Sequence, residues 1–141
     1  MRIFKKKVLI LGGSSDIGLE LTKKFLEKDI YNIDLHYHSN IKNIKKIKNK
    51  CNLIKADLSA SNYKNTLKKF DKNYDIIVNL VGYINNKSFE KFTIESLEKT
   101  LRINSLIPLL IIRMSLTKMI KKKWGRILNS SSIGVKFGGG T

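Results

Sequence analysis

The chain has 141 residues, with 28 Lys+Arg against 11 Asp+Glu for a formal charge of +17, and 42% of its residues are hydrophobic. That length suits one domain, 1–141, and that apolar fraction argues against a disordered polymer. The single cysteine, Cys51, excludes an internal disulfide framework and fits a reducing, cytoplasmic setting, while no run of about 18 uncharged apolar residues predicts a membrane span and no long apolar stretch near Met1 predicts a secretory leader.

Short apolar runs alternate with segments of helical period, the rhythm of a parallel sheet covered on both faces. Val8–Leu11 is a continuous apolar strand. Glycines and serines fill 12–15, and Ile17, Leu21 and Phe25 then recur on one helical stripe. Tyr31–His36 reads as a second strand, Ile41, Ile44 and Ile47 among lysines as a short amphipathic helix, and Asn52–Lys55 as a third strand. Ser61 is placed to cap a helix whose inner stripe is Tyr63, Leu67 and Phe70. Asp75–Asn79 is a fourth strand. Thr93–Lys99 begins helically, and Leu101–Lys123 continues with apolar residues at 103, 106, 107, 110, 111 and 114 and with Pro108 as a predicted kink. Arg126–Ser130 is a fifth strand; Gly134 and Gly138–Thr141 follow, and the strand is expected to be a sheet edge.

A charge of +17 raises the possibility of a nucleic-acid or other polyanionic partner. Of the basic residues 24 are Lys and 4 are Arg, whereas base and phosphate readout favours the bidentate guanidinium. Lys, Asn and Ile together make 57 of the 141 residues, and all three can be encoded by A and T alone, so an AT-rich genome accounts for the bias. The lysines scatter rather than interleave with aromatics, and neither a nucleic-acid nor a membrane partner is expected.

Gly12-Gly13-Ser14-Ser15-Asp16-Ile17-Gly18 lies between a buried strand and an amphipathic helix, the context of a phosphate-binding turn. Asp57-Leu58 follows the third strand, Asn79-Leu80-Val81-Gly82 the fourth, Asn104 falls on the long helix, and Gly125–Ser132 holds the fifth strand and three serines. In order and spacing the whole chain resembles the amino-terminal part of the short-chain dehydrogenases/reductases. Gly12 and Gly18 match the outer glycines of that family's Thr-Gly-x-x-x-Gly-x-Gly opening, while Leu11 and Asp16 depart from it. The resemblance implies an α/β, Rossmann-type doubly wound parallel sheet, incomplete at about five strands in the order 3-2-1-4-5. It further implies that the glycine segment, Tyr37, Asp57, Leu58, Asn79 and Gly82 bind a nicotinamide dinucleotide. Ser132 would then polarise a carbonyl or alcohol oxygen, and Asn104 would hold a proton-relay water.

Simpler roles stand beside these. Asp57 could cap a turn, Asn79 could tie strands through its amide, and Ser130 and Ser131 compete with Ser132. Asp16 is expected to point away from the phosphates, because two unit charges about 4 Å apart repel by about 4 kcal/mol at an effective dielectric of 20. His36 and His38 flank Tyr37 without a third ligand at metal spacing, and no metal site is expected. From Leu35 to Asn40, and on to Lys42, the second strand's end has no carboxylate, which favours NADP over NAD. The family's proton donor is a Tyr-x-x-x-Lys pair, and none follows Ser132. Three readings remain: part of a homo-oligomeric reductase, inactive as this chain alone; a dinucleotide-binding module without catalysis; and a basic polyanion-binding protein.

Overall fold

The computed structural model describes residues 5–137; residues 1–4 and 138–141 lie outside them. Five strands, β1 (Lys6–Leu11), β2 (Tyr31–Tyr37), β3 (Asn52–Lys55), β4 (Ile76–Asn79) and β5 (Arg126–Asn129), form one parallel sheet in the order β3-β2-β1-β4-β5. This is the expected α/β arrangement, with β1 at its centre.

Alternation along the strands builds two apolar layers. Leu9, Leu11, Ile54 and Ile77 face one side with Phe70 and Tyr74; Val8, Ile10, Ile33, Leu35 and Val78 face the other. Helix α1 (Asp16–Leu26) covers the second layer through Leu19, Leu21, Phe25 and Leu26. Its deepest residues are Gly18 and Thr22, and Ile17, expected on the inner stripe, is 72% exposed. Helix and turn touch at Gly18, so Ile17, one residue and about 100° away, is rotated outward.

The segment Lys42–Ile47 is a 3-10 helix rather than an α-helix, with Ile44 and Ile47 buried. Isoleucines at intervals of three suit a helix of three residues per turn. Helix α2 (Tyr63–Lys68) is preceded by Asn62, not by the expected cap Ser61, and no side chain closes its first turn.

Helix α3 (Ile94–Leu101) starts from a reciprocal cap between Thr93 and Ser96 and runs through a π-helical turn, Arg102–Leu106, into α4 (Ile107–Lys121). The Ile107 N–H donates to the Arg102 carbonyl, so the wider turn stands where Pro108 was expected to kink the helix. Ile103, Ile107, Ile111, Ser115 and Met119 face inward. By length and composition alone the continuous helix Ile94–Lys121 could cross a membrane, and much of its apolar surface is uncovered: Leu109 is 61% and Ile120 66% exposed. All four residues of β5 are exposed, as expected of an edge.

Candidate functional site

In the order β3-β2-β1-β4 the connections diverge on either side of β1, which opens a crevice at the carboxyl ends of the strands. A cavity of about 540 Å³ lies there, lined by Gly12, Ser14 and Ser15 from the glycine turn, His36, His38 and Asn40 from the end of β2, and Asp57 and Leu58 after β3. Leu80–Tyr83 after β4 and Lys99 and Ile103 from the long helix close it.

The turn is built by a few short bonds. Gly12 has φ +75°, a left-handed conformation that strains any L side chain. Its N–H donates to His36 Nδ1 at 3.1 Å, and the Gly13 N–H donates to the His36 carbonyl at 2.8 Å. Ser15 caps α1, accepting the Gly18 N–H at 3.1 Å and donating to the Gly12 carbonyl at 2.8 Å. Gly18 is pressed so closely onto the turn that a Cβ would meet the Gly12 oxygen and the Gly13 Cα at 2.7 Å. Among the described residues the Asp16 and Ile17 N–H groups take no acceptor, leaving donors at the positive end of the helix dipole. Asp16 is exposed and outside the cavity lining, as is Ile17. A cradle with no room for a Cβ, beside free helix N–H groups, fits the pyrophosphate of a dinucleotide.

Along the rim, His36 is buried, and burial pushes its imidazole down to about 4 against the help of the Ala56 carbonyl, with His38 and Lys69 adding to the fall. Its Nε2 lies 3.1 Å from that carbonyl. Tyr37, expected to bind cofactor, lies on the opposite face of β2 against the Val8 layer, because alternation gives the rim to His36 and His38 instead. Asp57 does close a turn: its Oδ1 accepts the Ser59 N–H at 2.8 Å and the Ser59 hydroxyl at 2.7 Å. Partial burial works against the charged form, yet these two bonds, with His38 and Lys99, hold the carboxyl below its ordinary value. Its Oδ2 lies 3.9 Å from His38 Nε2.

A second cavity of about 780 Å³ adjoins the first across Leu80–Tyr83 and brings together Asn79, Asn104 and Ser130–Ser132. Asn79 is buried; it donates to Asn129 Oδ1 at 3.3 Å and accepts the Val81 N–H at 3.2 Å, tying β4 to β5. Asn104 binds both the N–H and the carbonyl of Tyr83. Ser132 Oγ accepts the Gly134 N–H at 3.1 Å. Gly82 opens onto free space, since a Cβ there would meet no protein atom within 4 Å. Lys99 and Tyr83, which the sequence did not single out, stand between the cavities with the ammonium 4.7 Å from the ring centre. Lys99 sits on a helix 17 residues beyond the expected Gly82, and no motif spacing links the two.

The profile of the family described as short chain dehydrogenase matches residues 6–140. A 3-oxoacyl-acyl-carrier-protein reductase from Aquifex aeolicus is 41% identical over 59 residues, which is 42% of this chain and 24% of that protein. Among solved structures, a short-chain dehydrogenase from Sphingobium yanoikuyae in complex with NADPH superposes with a TM-score of 0.79 at 18% identity, covering 94% of this chain and 57% of that one. A bulky-bulky ketone specific alcohol dehydrogenase from Comamonas testosteroni gives 0.78 at 17%, covering 91% and 55%. The chain thus spans just over half the length of these structures.

Proposed function

The chain belongs to the short-chain dehydrogenase family, and from that premise we propose that it forms the dinucleotide-binding half of an oxidoreductase acting on a small carbonyl or alcohol. The observation that carries the reading is the glycine turn, with Gly12 at φ +75° and Gly18 against its carbonyl beside unfilled N–H donors. The turn and the start of α1 would hold the pyrophosphate, and Asp57 with Leu58 the adenine. Asn79 and Gly82 would border the nicotinamide end.

Bound there, a nicotinamide dinucleotide supplies or accepts the hydride. In the second cavity Ser132 would donate a hydrogen bond to the substrate oxygen where charge develops, and Asn104 would orient a water. The cofactor we propose is NADP, supported by His38 and Asn40 on the rim, Lys42 beyond them, and the absence of a carboxylate from 35 to 42. A homo-oligomeric assembly through the uncovered face of the long helix is part of the same reading; Leu97, Leu101, Leu109 and Ile120 are the residues that support it.

The reading is tested by calorimetric titration of the 141-residue chain with NADP and with NAD. Tighter binding of NADP supports it, tighter binding of NAD overturns the cofactor choice, and binding of neither overturns the site. No Tyr-x-x-x-Lys pair occurs in these residues after Ser132, which favours a second reading, binding without turnover by this chain alone. Carbonyl reduction by the 141-residue chain would overturn that second reading.

A further inference from the structure

We infer that His36 is a positioning residue for the dinucleotide: its neutral imidazole ties the end of β1 to the end of β3 and so sets the shape of the glycine turn. The inference rests on the reading of the turn as a dinucleotide cradle.

The two glycine N–H groups that open the turn both end on this one residue, Gly12 on the ring Nδ1 at 3.1 Å and Gly13 on the main-chain carbonyl at 2.8 Å. A backbone N–H can only donate, so Nδ1 must present its lone pair. The single ring proton then sits on Nε2 and is donated to the Ala56 carbonyl at 3.1 Å. One neutral tautomer therefore satisfies both neighbours, and the other satisfies neither. A protonated ring would set an N–H against the Gly12 N–H in a site where His36 is 3% exposed.

The bond matters for the ligand because of what lies at each end. Gly12 forms the cavity wall beside Ser14 and Ser15, and Ala56 precedes Asp57, whose turn forms the opposite rim. The groups that act on the ring do not favour its protonation: His38 lies just past the end of β2 and Lys69 follows α2, and both oppose a positive charge there. The Asp57 carboxylate, one residue past Ala56, is already engaged by Ser59 and faces His38. Phe70 meets the ring edge-on with centres 5.6 Å apart and offers nothing that titrates.

Two variants separate the two bonds. His36→Asn puts an amide oxygen where Nδ1 stands and keeps an acceptor for Gly12; His36→Gln reaches the Nε2 position and keeps only the donor to Ala56. All three proteins are titrated with NADP between pH 4 and 8, thermal unfolding reports whether the variants fold, and amide exchange is read at Gly12. The expected result is wild-type affinity that falls about tenfold or more towards pH 4, a flattened profile with a loss of about threefold at pH 7 for His36→Asn, which gives up the Ala56 bond, and a larger loss of about tenfold at pH 7 for His36→Gln, which gives up the Gly12 bond. The ligand's own titration is common to all three proteins. An unchanged pH profile in His36→Asn, or wild-type affinity in His36→Gln, overturns the inference. Should wild type bind neither nucleotide, the cofactor reading fails, and Gly12 exchange decides the turn: faster exchange in His36→Gln supports the role of His36, and unchanged exchange overturns it. If the variants do not fold, nitrogen-15 shifts of wild-type His36 serve, a proton on Nδ1 at pH 7 being the overturning result and one on Nε2 the supporting one.

Discussion

Asn104 holds the backbone of Tyr83 from both sides, its Oδ1 accepting the N–H at 2.7 Å and its Nδ2 donating to the carbonyl at 2.9 Å. The loop after β4 is thereby fixed to the π turn of the long helix, and the wall between the two cavities gains its shape from this one amide. Asn104→Asp keeps the acceptor and loses the donor, whereas Asn104→Ala loses both. Urea unfolding should show a loss of about 1 kcal/mol for Ala and less for Asp, modest because the pair is exposed. Equal stability of wild type and Asn104→Ala would show that the loop is held by other means.

Two glycine substitutions should separate packing from ligand contact. Gly18→Ala forces a Cβ to 2.7 Å from the backbone of the turn, which must move, at a cost of about 1–3 kcal/mol by denaturant unfolding. Gly82→Ala meets no protein atom and should leave stability within about 0.5 kcal/mol. Its NADP affinity should nevertheless fall, because the methyl projects into space that a bound ligand would use.

Acid sensitivity follows from His36. Its imidazole titrates near 6.5 in the unfolded chain and at about 4 in the folded one, because burial penalises the cation. The unfolded chain takes up the proton first, so the stability present above pH 6.5 is lost as pH falls towards 4. The shift corresponds to roughly 3 kcal/mol. Urea midpoints of wild type should drop through this window, and His36→Asn should show a shallower drop. Below it Asp75 contributes: burial opposes its charge, but bonds from Lys122 and the Lys7 N–H hold its carboxyl below the ordinary value, and that stability is lost only under about pH 4.

The uncovered helix face predicts self-association. Leu109→Lys combined with Ile120→Lys should shift sedimentation towards monomer and leave the unfolding midpoint nearly unchanged, since both side chains are mostly exposed. Association that persists in the double variant would move the contact elsewhere, with exposed β5 the next surface to test.

The strands were legible because a parallel sheet buried on both faces demands unbroken apolar runs, and Val8–Leu11 and Ile76–Val78 are such runs. The glycine turn was legible from its place between strand and helix. What escaped depended on contacts between residues far apart in the chain. His36 meets Gly12 across 24 residues and Asn104 meets Tyr83 across 21, distances at which no periodicity speaks. The 3-10 helix was hidden because isoleucines spaced by three also fit one turn of α-helix, and Ile17 was misplaced because a stripe of fours does not say where the closest approach falls.

β1 pairs with a strand on each side and has four fully buried residues in succession, whereas β5, among the described residues, pairs only with β4 and is exposed along its length. Backbone amides should therefore gain deuterium from the outer strand inward, within minutes at Ile127 and Leu128 and last at Leu9 and Ile10. The serines beyond β5 ride on the first part to open, and the glycine turn beyond β1 on the last, so the two halves of the site have separate lifetimes: the serine wall can come and go while the cradle stays formed.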